Sequence, residues 1–387
     1  MTTSLPPAPW TRREDLALLV SALGAGTVRW VGGAVRDTLL GAMVKDIDAA
    51  TPLPPEEVMA ACKAASLKTV PTGLAHGTVT VVLPGGPVEV TTLRHDVSTN
   101  GRHATVAFAR DWREDAARRD FTINALYADP ETLAVHDYFG GLDDLAARRV
   151  RFIGDAHQRI REDHLRILRY FRFQARFGGQ DADPQAESAC ADLAATLKGL
   201  SRERIGMEMM NLLSLPDPAP TVARMEALGV LTVILPEADP RALAALVAQE
   251  QAQGIAPAAL RRLAALIPAD PALAEGVASR FRLSTAQKKR LAAAARRETG
   301  APRALAWHLG VEEARDALLL AGQDARGLDG FTLPVFPLKG GQIVARGVAA
   351  GPDVARVLQA VQARWVEEGF PGEERIAALL DAELSRL

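Results

Sequence analysis

The segment VGGAVRDTLLGAMVKDIDAAT, from Val31 to Thr51, constrains this chain more than any other: it dictates a strand end, a turn, a short helix and a second strand in succession. Gly32 and Gly33 let the backbone come close to a ligand, and the amides opening the helix after them favour an anion such as phosphate. Gly41 closes that helix. Asp46 and Asp48 stand two apart, so on a strand both carboxylates project from one face. Two acids so placed repel unless a cation lies between them. A phosphate cradle one short helix from paired acids is what nucleotidyl transfer needs, with carboxylate oxygens holding Mg2+ and the metal offsetting charge on the reacting phosphate. Each half alone has a plainer reading, because strand, Gly-Gly and helix recur in α/β proteins and Asp-x-Asp is often a solvated edge. A dinucleotide-binding turn fails on spacing, since the segment has no Gly-x-Gly-x-x-Gly and its acids come too soon.

A chain of 387 residues has room for two or three domains. Its 48% hydrophobic and 24% charged residues are ordinary for a globular protein. The formal net charge of −2 excludes a histone-like polycation but leaves room for a local basic face. Cys62 and Cys190, the only cysteines, lack metal-ligand spacing, so neither a disulfide framework nor a zinc site is expected. The N-terminus MTTSLPPAPWTRRED has no apolar secretory core, and no run of about eighteen apolar residues occurs. No membrane association is therefore expected, and a reducing cytoplasm is the expected location.

Arg12–Leu23 reads as an amphipathic helix, Thr27–Val31 as a strand, and Pro54 to about Ser66 as a helix with Glu56 and Glu57 in its first turn. His76–Leu83 and Val88–Leu93 read as a β-hairpin across Pro-Gly-Gly-Pro. Glu89 lies between two valines and faces away from them. If its strand neighbours the one bearing Asp46 and Asp48 it is a third carboxylate; otherwise it is an ordinary exposed strand residue. His95–Ala109 lacks clean periodicity and is expected to be a mobile loop. Asp111–Leu126 reads mostly as helix, with Arg118, Arg119, Asp120 and Asn124 toward one side, as either a polar site or a salt-bridged surface.

Beyond Asp155 the pattern is helical. Within Ile160–Phe177, read as one helix, Ile160, Ile167, Leu168 and Phe171 mark an apolar face, while Asp163, Arg166, Arg169, Arg172 and Arg176 spread over the other. Solvated charge is the plain reading. Leu165, Tyr170 and Phe173 are nevertheless interleaved with the arginines, and guanidinium forks beside flat rings suit a nucleotide base or a sugar-phosphate. The basic clusters Arg261-Arg262, Lys288-Lys289-Arg290 and Arg296-Arg297 read singly as helix surface and jointly as a track for a phosphate backbone. Pro216–Pro220 and Pro236 interrupt the helices, and 333–351 is rich in Gly and Pro.

Taken together, these residues resemble the class II tRNA nucleotidyltransferases and bacterial poly(A) polymerases. The resemblance rests on Gly32-Gly33-Ala34-Val35-Arg36-Asp37, on Asp46-Ile47-Asp48, on the run RRDFTINAL from Arg118 to Leu126, and on Glu162-Asp163-His164-Leu165-Arg166 continuing to Arg169 and Arg172. Ser201-Arg202-Glu203-Arg204 is similar to a further family element, and Phe336–Gly341 with Gly351-Pro352 to the tail pattern of bacterial members. The resemblance implies an α+β chain with a polymerase-β-like nucleotidyltransferase head, its sheet mixed or antiparallel, at residues 1–153. An all-helical neck (154–215), body (216–300) and tail (301–387) would follow. It implies that Asp46 and Asp48 bind two Mg2+ ions, with Glu89 as third carboxylate. Gly33, Arg36 and Arg119 would contact the triphosphate or ribose, Gly32, Asp120 and Asn124 would be further nucleotide-binding residues, and Asp163, Arg166, Arg169 and Arg172 would contact the incoming nucleotide from the neck. The implied substrates are CTP, ATP and a tRNA 3′ end, to which CCA is added. A poly(A) polymerase or a C-only or A-only enzyme shares these motifs, and an inactive RNA-binding homologue is the alternative from another class. The residues specify no oligomeric state.

Base selection by such a neck has a chemical rationale of its own. CTP and ATP present an exocyclic amine beside a ring-nitrogen acceptor, whereas UTP and GTP present a carbonyl and an N–H. A carboxylate accepting from the amine beside a guanidinium donating to the ring selects the first pair, and a wrong base leaves buried groups mismatched at about 1 to 3 kcal/mol each. Asp163 and Arg166, three apart on one helix, are expected to supply that pair. None of the seven histidines is assigned as a base, and His95-Asp96 and His136-Asp137 are read as incidental.

Overall fold

The structure is a computed structural model that describes residues 3–100, 103–109 and 111–386. Helix α1 (Glu14–Leu23) leads into strand β1 (Arg29–Val31), and Gly32 then caps α2 (Gly33–Leu39) with φ at +71°, a conformation that favours a residue without Cβ. Next come β2 (Ile47–Thr51) and α3 (Pro55–Ala64), whose first turn carries Glu56 and Glu57 as expected. Strands β3 (Lys68–Gly73), β4 (Thr78–Leu83) and β5 (Gly86–Thr92) follow, the last two forming the expected hairpin.

The expected loop after them is instead a second hairpin, in which β6 (Arg94–Asn100) pairs with β7 (His103–Phe108) as a separate two-stranded sheet. Gly101 and Arg102, which join the strands, lie outside the described residues, as do the side chains of the His95-Asp96 dipeptide. The missed signal is Gly101 between two runs that carry Val and Thr, since a glycine opening a two-residue connection favours a hairpin and outweighs a polar, weakly periodic flank. A second correction falls on Asp111–Leu126. Helix α4 (Trp112–Ala117) stops early, and Arg118–Asn124 form a turn that ends in one 3-10 turn before β8 (Leu126–Ala128). The Asp120 carboxylate accepts the N–H of Phe121 at 2.9 Å, a local bond that competes with helix, and Phe121 is extended and bridges to Phe152. Strand β9 (Val135–Asp137) and helix α5 (Gly141–Ala146) complete this part.

Seven strands form the main sheet in the order β3-β4-β5-β2-β1-β8-β9. All neighbours are antiparallel except β2 and β5, which run parallel because α3, β3 and β4 intervene as a crossover. Val31, Ala50, Leu93, Ala116, Ala125, Tyr127 and Ile153 form one buried cluster against the sheet, edged by Trp112, Tyr138 and Phe139.

Helices then replace strands: α6 (Ala156–Glu162), α7 (Arg166–Phe177), α8 (Pro184–Asp192), α9 (Arg202–Leu213), α10 (Ala219–Ala227) and α11 (Val230–Ile234). The single helix expected over Ile160–Phe177 is two, broken where Asp163 takes φ −150° and ψ 106°. Its carboxylate accepts the Leu165 N–H at 3.1 Å and so starts α7 afresh. Tyr170 and Phe173 are 0% and 6% exposed, so these rings belong to the core and not to a nucleotide-facing side.

The chain divides into two compact units, residues 1–208 with 224–234 and residues 209–223 with 235–387. The second unit contains α12 (Pro240–Gln253), α13 (Ala259–Leu266), α14 (Pro271–Arg280), α15 (Thr285–Ala295), α16 (Pro302–Leu309) and α17 (Val311–Leu320). It ends with α18 (Gly340–Val344), α19 (Pro352–Glu367) and α20 (Glu373–Leu384), packed around Trp365. Of the phosphate track expected here, Lys289 and Arg296 are exposed, but four of its arginines are turned inward. Arg261 and Arg262 are each 1% exposed and both bind Glu250, Arg290 binds Asp316 at 2.7 Å, and Arg297 donates to the carbonyl of Ala264. Carbonyls left over at chain turns and buried acids claimed these guanidiniums, whose five donors suit that use. Among the described residues no helix is long and apolar enough to cross a membrane.

Candidate active site

The register of the sheet builds the acidic centre. Asp48 on β2 lies between Val31 of β1 and Glu89 of β5, directly opposite each. Glu89 is exposed between the buried Val88 and Val90, so the parallel β2–β5 pair sets its carboxylate beside Asp48. Asp46 is not on the strand, contrary to expectation. Pairing begins only at Ile47, opposite Val88, which leaves Asp46 exposed in the preceding loop. Its charge still reaches Asp48. Burial first, then Glu89 and, more weakly, Asp46 push the Asp48 carboxyl up to about 6, against the opposing charge of Arg119.

A carboxyl raised by like charges is one that an added cation would return to its ionised form. The three acids offer hard oxygen donors, and the set is not a closed metal site: among the described residues no three His, Cys, Asp or Glu side chains are grouped to hold an ion. Mg2+ needs less than that, since it binds through one or two carboxylates and completes its shell with water and phosphate oxygens. Asp46 and Asp48 meet this smaller requirement.

Arg119 reaches the centre from the turn after α4. Its Nε donates to the Tyr127 hydroxyl at 3.1 Å and its NH2 to Asp115 at 3.2 Å, while Tyr127 donates to the same Asp115 oxygen at 2.6 Å. Burial alone would lower Arg119, but Tyr127 and Asp115 hold its pKa above the usual value. A Cβ placed on Gly32 would lie 3.6 Å from Arg119 NH1, so the glycine turn and this guanidinium face each other.

A second set of the expected residues forms one chain of polar contacts. Arg36, on α2, is buried; its Nε donates to Asp37 at 2.8 Å, its NH1 to the Asn124 side-chain oxygen, and its guanidinium stands 4.0 Å from the Phe177 ring centre. A Cβ on Gly33 would lie 3.7 Å from Arg36 NH2. Asn124 donates to Asp120 at 3.0 Å, and Arg169 Nε donates to the other Asp120 oxygen at 2.9 Å. Burial would raise Asp120, but Arg169, Asn124 and the Phe121 N–H hold it at about 2. Glu208 ends the chain, accepting from Arg172 Nε at 2.6 Å with Arg169 NH1 3.8 Å away. A guanidinium has more donors than these carboxylates accept, which leaves Arg169 and Arg172 able to serve an anion as well.

The remaining pair flanks the α6–α7 break. Asp163 is not on a helix with Arg166; its second oxygen accepts from Arg204 NH2 at 2.7 Å. Arg166 NH1 donates to Glu162 at 2.6 Å and to the Arg159 carbonyl at 2.8 Å. Sequence reasoning passed over Asp115, Tyr127, Arg159 and Glu208 as site components. Those four had no signal of their own in the sequence; Arg204, which holds Asp163, had one in the Ser201–Arg204 element.

Residues 28–151 match the family described as "Poly A polymerase head domain", and residues 181–241 one described as "Probable RNA and SrmB- binding site of polymerase A". The mitochondrial CCA tRNA nucleotidyltransferase 1 of Homo sapiens is 46% identical over 189 residues, 48% of this chain and 43% of that protein, so this match spans less than half of the human protein. The protein of the same name from Mus musculus is 33% identical over 370 residues, covering 90% of this chain and 84% of that protein. The crystal structure of Bacillus stearothermophilus CCA-adding enzyme in complex with CTP is similar with a TM-score of 0.69 at 27% identity, covering 96% of this chain and 98% of the other.

Proposed function

The chain belongs to the family of tRNA nucleotidyltransferases and poly(A) polymerases, and from that premise we propose that it adds CCA to tRNA 3′ ends from CTP and ATP, releasing pyrophosphate at each addition. The observation that carries this reading is the placement of Asp48 in register with Glu89, with Arg119 and the Gly32 turn beside them. Asp46 and Asp48, joined by Glu89, would hold two Mg2+ ions, which when bound offset charge on the phosphates and favour ionisation of the attacking 3′ hydroxyl. Gly32 and Gly33 let the triphosphate approach the backbone, and Arg36 and Arg119 supply fixed positive charge there. Asp163 accepts from the amine of cytosine or adenine, while Arg166 donates to the ring nitrogen; without a nucleotide each side chain is kept in place by its own partner, Arg204 or Glu162. Arg169 and Arg172 face the nucleotide from the same helix. In this reading residues 1–153 carry the chemistry, 154–215 read the base, and the body and tail through 387 hold the tRNA. A reducing compartment such as the cytoplasm suits Cys62 and Cys190, both free and buried.

The test is incorporation on tRNA ending before CCA, with Mg2+ and each nucleotide separately and in pairs. Two C residues followed by one A is the expected product. Long tails from ATP alone would make the protein a poly(A) polymerase, and absence of any C incorporation would overturn the proposal.

A further inference from the structure

Two arginines of the α6–α7 junction grip the backbone of the turn that delivers Arg119. Arg159 NH2 donates to the carbonyls of Arg118 and Arg119, the latter at 2.7 Å. Arg166 NH2 reaches the same Arg118 carbonyl at 3.4 Å, and its NH1 donates to the Arg159 carbonyl at 2.8 Å. Both guanidiniums share one carboxylate oxygen, Glu162 Oε2, at 2.6 Å each. The far end of the turn is fixed as well, because Asp115 and Tyr127 hold the Arg119 side chain whose charge acts on Asp48. Hydrogen bonds thus join the guanidinium assigned to the base with the backbone of Arg119, whose own side chain stands beside the acids. Arg159, at the middle of these bonds, is buried.

On the reading that Arg166 faces the base, we propose that Arg159 is a positioning residue that couples base selection to the transfer step. A ring-nitrogen acceptor competes for the N–H groups of Arg166 and draws them from Glu162 and the Arg118 carbonyl. Glu162 and the Arg118 carbonyl are then left to Arg159 alone, which tightens its hold on the 118–119 turn, and with it on Arg119 against Asp48, relative to the shared arrangement. A base that offers an N–H instead gives Arg166 no acceptor and leaves the shared arrangement as it is. Base identity in this way enters the rate of transfer as well as the affinity.

The full chain carrying Arg159→Gln or Arg159→Lys tests this by single-turnover addition of C to tRNA lacking CCA, alongside equilibrium CTP binding and UTP misincorporation. For Arg159→Gln the rate at saturating CTP should fall about tenfold or more while the CTP Kd changes less than about threefold, and the CTP-over-UTP rate ratio should shrink about fivefold. Arg159→Lys should recover part of both losses, and its melting midpoint separates misfolding from mispositioning. A wild-type rate and ratio in the Gln variant, or a Kd loss that accounts for the whole rate loss in both variants, overturns the coupling. Wild-type protein that adds no C overturns the CCA reading itself, which distinguishes the two failures.

Discussion

Asp48 shows a single side chain working against its fold. It is half-buried beside two other carboxylates, and burial with like charge raises its pKa to about 6, so in the nucleotide-free protein its ionised form destabilises the head. Asp48→Asn keeps the shape and removes the repulsion. On the proposed metal-binding role of Asp48, incorporation of C should fall by about 10³-fold, whereas the melting midpoint without Mg2+ should stay level or rise. A steep drop in midpoint would show the carboxylate to be structural instead. The spacing of Asp46 and Asp48 reads from sequence as two acids on one strand face, whereas only Asp48 is on the strand. The partnership with Glu89 was conditional on strand order, because residues 41 apart in the chain meet only through the β2–β5 register.

At the scale of elements, the short helix α4 and the turn after it depend on Asp115. This carboxylate accepts from Arg118, Arg119 and Tyr127, and although burial alone would raise it, these partners hold it at about 2, against 3.8 ordinarily. A depressed folded pKa contributes stability that is complete above the unfolded value and is lost as pH falls through the folded one. Asp115→Asn should therefore cost about 2 kcal/mol at pH 7, and the stability curves of variant and wild type should converge between about pH 4 and pH 2. Urea unfolding across that range checks it; a gap independent of pH would mean packing and not charge. The break at Asp163 belongs to this scale too. Helical periodicity ran unbroken through Ile160–Phe177, and nothing in that pattern announced that Asp163 would turn extended and its carboxylate accept the Leu165 N–H ahead of the next helix.

For the molecule as a whole, charge is spent in the interior of the second unit as much as on its surface. Arg261 and Arg262 meet Glu250, Asp316 joins Arg261 with Arg290, and Arg262 also collects the carbonyls of Leu213, Leu215 and Pro216. Replacing Arg262 with Met should cost about 3 to 5 kcal/mol in urea unfolding by stranding buried acceptors. The salt dependence of tRNA binding by the folded variant should be unchanged, since a buried guanidinium neutralises no phosphate; a shallower slope would return Arg262 to the RNA-facing surface. The sequence by itself determined the strand, glycine turn, helix and strand of the opening segment, the β4–β5 hairpin, the spacing of the two acids and the arginines of α7, because these follow from local chemistry at fixed spacing. Only the tertiary structure decided that Glu89 joins Asp48, that Arg36 and Arg169 meet through Asn124 and Asp120, and that Tyr170 and the Arg261-Arg262 pair turn inward. Those outcomes depend on which distant acid or carbonyl each group reaches when the chain folds. A guanidinium reads the same in sequence whether its partner is a phosphate, a carboxylate or a bare carbonyl.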